Sequence, residues 1–380
     1  MKTAKKIITA FFVWRAGLFI AAFLAAYLLP NFGSRFPYWN TVLEPTGLPS
    51  WVWGFGNFDG VHYLRLVLLG YEGSQYSQAF FPLYPLLIKL LSFGSQYLLS
   101  ALLLSNLLFL LGIYVFYKLL QIDYDSKTSF KSVLLLLAFP TAFYFGSVYS
   151  ESLFFFLAVS SLFLLRKGKL LEAGFCGALA SATRVLGLLL IPVFLIEIYL
   201  EYKKGKLKLI SGQSFKAVLS TFFIPLGTFL YMWYLRAGFD NPLYFLTSQP
   251  AFGAERSSLP IVLLPQVVFR YVKMLVSVPI NSWQFFSSAL ELTFTAILLA
   301  VLVFAFKKIR LSYWLFAAGC LLIPTLTGTL SSMPRYSLMA FFLLPAAVIS
   351  TGKYFKPITA ILIIMEVILA SLFTRGYWVA

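Results

Sequence analysis

Asn57–Pro85 reads NFDGVHYLRLVLLGYEGSQYSQAFFPLYP, and what surrounds this stretch decides the fold. It carries the protein's single histidine, His62, and an aspartate, Asp59, close to Gly56 and Gly60. The pattern predicts a short helix over Gly60–Leu69, with Asn57 or Asp59 as its cap. Phe80–Phe93 follows, fourteen residues with two prolines. Crossing a bilayer takes about 20 apolar residues, so this segment is expected to lie in or dip into the outer interface.

Outward from this stretch the chain is strongly apolar. Hydrophobic residues make up 60% of the 380 and charged residues 11%, against about 25% charged in an ordinary soluble domain. Apolar runs recur from end to end. The 19% aromatic content comes without strand-like alternation, which favours helices over a barrel. The expectation is an all-α polytopic membrane bundle, one domain over residues 1–380, with outer segments at 30–96 and 236–282. After MKTAKK, the apolar run Ile7–Leu29 exceeds the roughly 7–15 residues of a signal peptide's core and is read as a retained helix.

The formal net charge of +17 is a topology signal rather than a nucleic-acid footprint. Nineteen of the thirty Lys and Arg fall in six clusters: Lys2–Lys6, Lys118–Lys131, Arg166–Lys169, Lys203–Lys216, Lys307–Arg310 and Lys353–Lys356. Such basic loops mark the cytoplasmic side. Alternating sides gives crossings at Ile7–Leu29, Tyr97–Leu120, Ser132–Val148 (with Pro140 inside), Ser150–Leu165, Ala217–Leu235, Trp283–Phe306, Leu311–Leu330, Ser337–Thr351 and Pro357–Phe373. Leu170–Leu200 is too short for two full crossings and is read as a re-entrant pair turning near Arg184. The count is about eleven, with the N-terminus cytoplasmic and the C-terminus outside. Arg15, inside the first helix, is expected to snorkel back to headgroups.

The clusters hold seventeen Lys and two Arg, whereas the remaining basic residues are nine Arg and two Lys. A guanidinium fork grips phosphate in two places, so the Arg bias hints at phosphate on the opposite face; interfacial anchoring is the plainer alternative. The sequence holds no P-loop, dinucleotide-binding fingerprint, HExxH or GxSxG motif. With one histidine, no metal site and no cofactor are expected. Cys176 and Cys320 read as structural thiols. Glu291 and Glu366 lie in apolar helices, Glu366 without an evident partner. Asp59 has His62 and Tyr63 at i+3 and i+4 and aromatic cover from Trp51, Trp53 and Phe58. That setting suggests a carboxylate with a raised pKa, able to take a proton from a hydroxyl, or else a plain helix cap.

Five patches in order carry a resemblance: FDGVHYLRLVLLGY with AFFPLYPLL (58–71, 79–87), VYSESLFF (148–155), SATRVLG (181–187), NPLYFLTSQ (241–249) and MPRY (333–336). Together they resemble the GPI mannosyltransferase II family and its bacterial relatives, in the GT-C class of polyprenyl-phosphate-sugar glycosyltransferases. The resemblance implies inverting transfer of a sugar, mannose by preference, from a polyprenyl-phosphate donor to a glycolipid, glycan or protein acceptor. Asp59 would be the catalytic base. Arg184 and Arg335 would stabilise the leaving phosphate, and Glu151 would hold sugar hydroxyls or orient an arginine. His62 would bind phosphate or buttress Asp59, with Tyr63, Gln249 and Tyr336 as pocket lining. Phe58 stands where the family has Trp, Val185 and Leu186 where it tends to Ser-Asn, and Thr247 where His is common; these departures touch the acceptor more than the reaction. A bacterial plasma membrane fits better than the endoplasmic reticulum. A transporter or flippase of a glycolipid or polyprenyl-linked sugar is the competing class, and a scaffold a third. The interruptions at Pro140 and Arg184 are not mirrored later, unlike the repeated halves of many transporters.

Overall fold

The computed structural model describes residues 2–32, 38–74, 76–205, 212–253, 256–257 and 261–380. Residues 33–37 and 75 of the first outer segment, and 254, 255 and 258–260 of the second, lie outside the described residues. The described residues form helices and helical turns joined by loops, with a single isolated β-bridge between Val262 and Thr327. Among the described residues, six segments are long and apolar enough to cross a bilayer: Thr3–Leu28, Tyr97–Leu120, Val185–Lys203, Gly212–Phe239, Trp283–Ala305 and Met333–Thr374. The last has 42 residues. At about 1.5 Å per residue, a straight helix of that length would be twice as long as the hydrocarbon is thick. It does not run straight: Gly352, at φ +50°, breaks it between Leu344–Thr351 and Phe355–Thr374.

The helix Tyr97–Leu120 packs against Glu151–Arg166, which packs in turn against Leu170–Ser181. Close approach between helices depends on small residues, as expected where lipid gives no hydrophobic drive for association. At Gly227 an added Cβ would sit 2.1 Å from the Ala178 carbonyl oxygen, so only glycine fits.

Proline accounts for most departures from the expected spans. The Ser132–Val148 crossing is instead a helix, Ser126–Leu137, followed by Pro140 and a buried 3-10 turn, Ala142–Gly146. Proline removes a donor and clashes with the preceding turn. Ala217–Leu235 is divided at Pro225 into Gly212–Phe223 and Leu226–Phe239. Leu311–Leu330 ends at Thr325, just past Pro324. By contrast, Leu170–Leu200 does turn at Arg184, between Leu170–Ser181 and Leu190–Lys203.

Two intramembrane charges also differ from expectation. Arg15 does not snorkel; it is 7% exposed, with its guanidinium between the rings of Phe19 and Phe55 at 4.1 and 4.3 Å. Hydropathy cannot tell a lipid-facing from a helix-facing position, and this one faces inward. Glu366 has a partner after all, since the Trp14 indole donates to it at 2.8 Å. That bond ties the first helix to the last long one, Phe355–Thr374, which packs alongside it.

Candidate functional site

Asp59 opens the helix Asp59–Leu69. The cap position belongs to Phe58, and no side chain caps that end, so the capping role does not hold. Phe58 sits at φ +59°, strained for a bulky residue, with its ring against Phe373 and Trp378. The preceding loop is tied down from several directions. Asn57 donates to the carbonyls of Phe373 and Thr374 at 2.9 and 3.2 Å, Tyr149 donates to the Asn57 carbonyl at 2.9 Å, and Val148 N–H donates to the Phe55 carbonyl at 3.0 Å. Two distant parts of the chain, around residues 148–149 and 373–374, therefore fix where Asp59 points.

It points at Arg335. The two form an ion pair through Asp59 Oδ2 and Arg335 Nη1, the carboxylate 18% and the guanidinium 5% exposed. Arg335 comes from the short helix Met333–Tyr336, entered through Ser332 at φ +70° and held by Thr141, which donates to the Pro334 carbonyl at 2.7 Å. Glu151 extends the chain of charges: its Oε1 lies 3.6 Å from Arg335 Nε and 2.6 Å from Arg184 Nη1. Arg184 sits at the break between its two helices, and Glu151 in the first turn of Glu151–Arg166, where an anion suits the helix dipole. Tyr149 and Tyr336 hold their rings 5.3 and 5.2 Å from the Arg335 guanidinium carbon.

These side chains meet at a cavity of about 1090 Å³. Asp59, Tyr63, Arg184, Gln249, Arg335 and Tyr336 line it. Tyr63, one turn beyond Asp59, donates to Ser150 Oγ at 2.8 Å, and Gln249 donates to the Phe245 carbonyl at 3.3 Å. Glu151 lies just behind the wall, 1% exposed, joining the two arginines. His62 is not on the lining. It stacks on Phe80 with centroids 5.2 Å apart and meets Phe252 edge-on.

Electrostatics separate these groups further. Burial pushes the Asp59 carboxyl up, but Arg335, by charge and hydrogen bond, outweighs it and holds the group below its usual range. The raised value expected from the aromatic surroundings is thus overturned by an arginine 276 residues away. Burial lowers His62 to about 4, more than Asp59 raises it, so the ring is neutral at pH 7 and is no cation for a phosphate.

Sequence reasoning missed the far wall. Arg256, Arg270 and Lys273 line the cavity, as do Tyr271 and Glu291. Tyr271 donates to Glu291 at 2.5 Å and accepts from Leu330 N–H at 3.1 Å. The available signal was the excess of Arg outside the Lys-rich clusters, to which Arg256 and Arg270 belong.

The sequence model of the family described as mannosyltransferase (PIG-V) matches residues 47–239. No curated protein matches the chain. The matched half contains Asp59, His62, Tyr63, Glu151 and Arg184, while Arg335 reaches the same cluster from beyond it. With a match over half its length, apolar helices throughout and this cavity, the chain belongs to the mannosyltransferase (PIG-V) family and is a membrane glycosyltransferase.

Proposed function

We propose that the protein transfers mannose, with inversion, from a polyprenyl monophosphate carrier to an acceptor hydroxyl at the outer membrane face, with Asp59 as base. The observation that carries this reading is the Asp59 carboxylate on the cavity wall, with Oδ2 held by Arg335 and no described hydrogen bond to Oδ1. The acceptor hydroxyl attacks the anomeric carbon. The bond from that carbon to the carrier phosphate breaks, its electron pair leaving with the phosphate, and the proton passes to Asp59 Oδ1. A carboxylate kept ionised by its arginine is ready at neutral pH, and it takes the proton late, as the attacking oxygen becomes acidic. Arg335 also fixes the orientation of the base, and Glu151 fixes Arg335 and Arg184 together.

The topology that goes with this reading has about eleven crossings, N-terminus cytoplasmic and C-terminus outside, in a bacterial plasma membrane. Lys118 and Lys203 close two of the apolar helices at the side assigned to the cytoplasm, which supports that orientation. The donor is a lipid substrate, no cofactor takes part, and the acceptor is a glycolipid, glycan or protein. The test is incubation of purified protein with polyprenyl-phosphate-mannose and candidate acceptors, following carrier phosphate release and the anomeric configuration of the product. Sugar crossing sealed vesicles without bond cleavage would instead favour a flippase.

A further inference from the structure

The charges of the Asp59 cluster cancel. Arg335 and Arg184 are matched by Asp59 and Glu151, at contact distance or nearly so. An anion arriving there finds no net positive charge unless an existing pair is broken. Elsewhere on the lining the balance differs: Arg256, Arg270 and Lys273 line the same cavity, Arg256 near enough to act electrostatically on Asp59, and the only carboxylate besides Asp59 among the described lining residues is Glu291. Glu291 is 6% exposed and its Oε2 is already taken by the Tyr271 hydroxyl.

Two of the three cations are held in place. Arg256 Nη2 donates to Ser332 Oγ at 2.9 Å, and Arg270 Nη1 donates to the Gly328 carbonyl at 3.2 Å. Both anchors belong to the turn that leads to Arg335. Gly328 is at φ +85°, a backbone conformation that favours glycine, and a Cβ there would lie 3.2 Å from Arg270 Nη1, a tight contact. Arg270, Lys273 and Ser277 follow one another at i, i+3 and i+7 on the helix Leu264–Ser277, and all three line the cavity. A neighbouring stripe at the same spacing, Phe269, Val272 and Val276, is 69%, 49% and 84% exposed. One helix thus presents cations to the cavity and bare apolar side chains beside them.

We infer that Arg256, Arg270 and Lys273 form the subsite for a phosphate carried on an apolar chain, the exposed stripe meeting the chain as the cations meet the headgroup. This rests on the reading above and assigns the leaving group to this wall rather than to Arg184 and Arg335. When the sugar bond breaks, the departing phosphate gains a negative charge. Cations that outnumber the carboxylates among the described residues of that part of the lining are placed to stabilise that gain.

The experiment reads binding, with mannose transfer by the wild type followed separately. Full-length protein in nanodiscs would be titrated with undecaprenyl phosphate, undecaprenol and inorganic phosphate, comparing wild type, Arg270→Gln/Lys273→Gln, Arg270→Lys and Arg184→Gln. The expected result is wild-type binding of undecaprenyl phosphate at least tenfold tighter than of undecaprenol. The double variant should lose that preference with undecaprenol binding unchanged. Arg270→Lys should retain most of it, and Arg184→Gln should change it less than the double variant. An undiminished preference in the double variant would overturn the proposal. So would a larger loss in Arg184→Gln, or inorganic phosphate binding as tightly as the lipid form. Should wild type transfer mannose while the double variant binds normally, the subsite falls alone. Should no transfer occur while the variant loses phosphate binding, the enzyme reading falls and the subsite stands.

Discussion

The helix Glu151–Arg166 joins two clusters with the same composition and opposite character. At its first residue, Glu151 and Asp59 meet Arg184 and Arg335. At its last, Arg166 and Arg310 meet Asp123 and Glu197. In the second cluster the forks close on both oxygens: Arg166 on Asp123 at 2.8 and 2.9 Å, Arg310 on Glu197 at 2.5 and 2.7 Å. Tyr313 donates to Asp123 at 2.9 Å, and Ser312 donates to Glu197. The first cluster rests instead on single oxygens and opens on the large cavity. Saturated pairing makes a clamp between helices, whereas a carboxylate with an oxygen to spare beside a cavity can accept a proton.

The sharpest way to break this contrast is Asp59→Asn. Transfer should fall by about 10²–10⁴-fold, the usual worth of a general base, with folded protein still recovered. Normal turnover in this variant would remove Asp59 from the chemistry. At the clamp, Glu197→Gln should do the reverse. Leaving Arg310 half-matched in a buried setting costs about 3–5 kcal/mol, read as a lower unfolding midpoint in detergent, with turnover per folded molecule close to wild type. Equal catalytic losses in the two variants would erase the distinction.

A smaller effect comes from His62. The folded state keeps the ring neutral down to about 4, while an unfolded chain takes up a proton near 6.5. Unfolding therefore binds a proton in that window, and stability falls as pH drops from 6.5 to 4, by at most about 3 kcal/mol. His62→Phe, which suits the stack between Phe80 and Phe252, should flatten that part of the pH–stability curve; an unchanged slope would assign it elsewhere. Smallest is Tyr63→Phe, which removes the bond to Ser150 and should cost about 1 kcal/mol, with far less loss of turnover than Asp59→Asn.

Local pattern was legible in the sequence. The Tyr97–Leu120 helix has the bounds expected from hydropathy, the turn at Arg184 followed from a run too short for two crossings, and Asp59 stood out by its neighbours. Hidden were the properties that depend on what folds against what. The arginine that lowers the Asp59 pKa arrives from Met333–Tyr336, Arg15 finds its rings inside the bundle, and Lys273 reaches the cavity from a segment that reads only as outer. Apolar composition runs straight through Pro140 and Pro225, so hydropathy does not show the helix breaks there.

The bond between Trp14 and Glu366 spans 352 residues of sequence. At a synthesis rate of roughly 5–20 residues per second, the first helix waits about 20–70 s on a ribosome before its carboxylate partner exists. Arg15, one position along, waits a shorter time for Phe55. During biogenesis the guanidinium therefore has only Phe19 beside it until Phe55 follows, and the indole goes unanswered until Glu366 arrives.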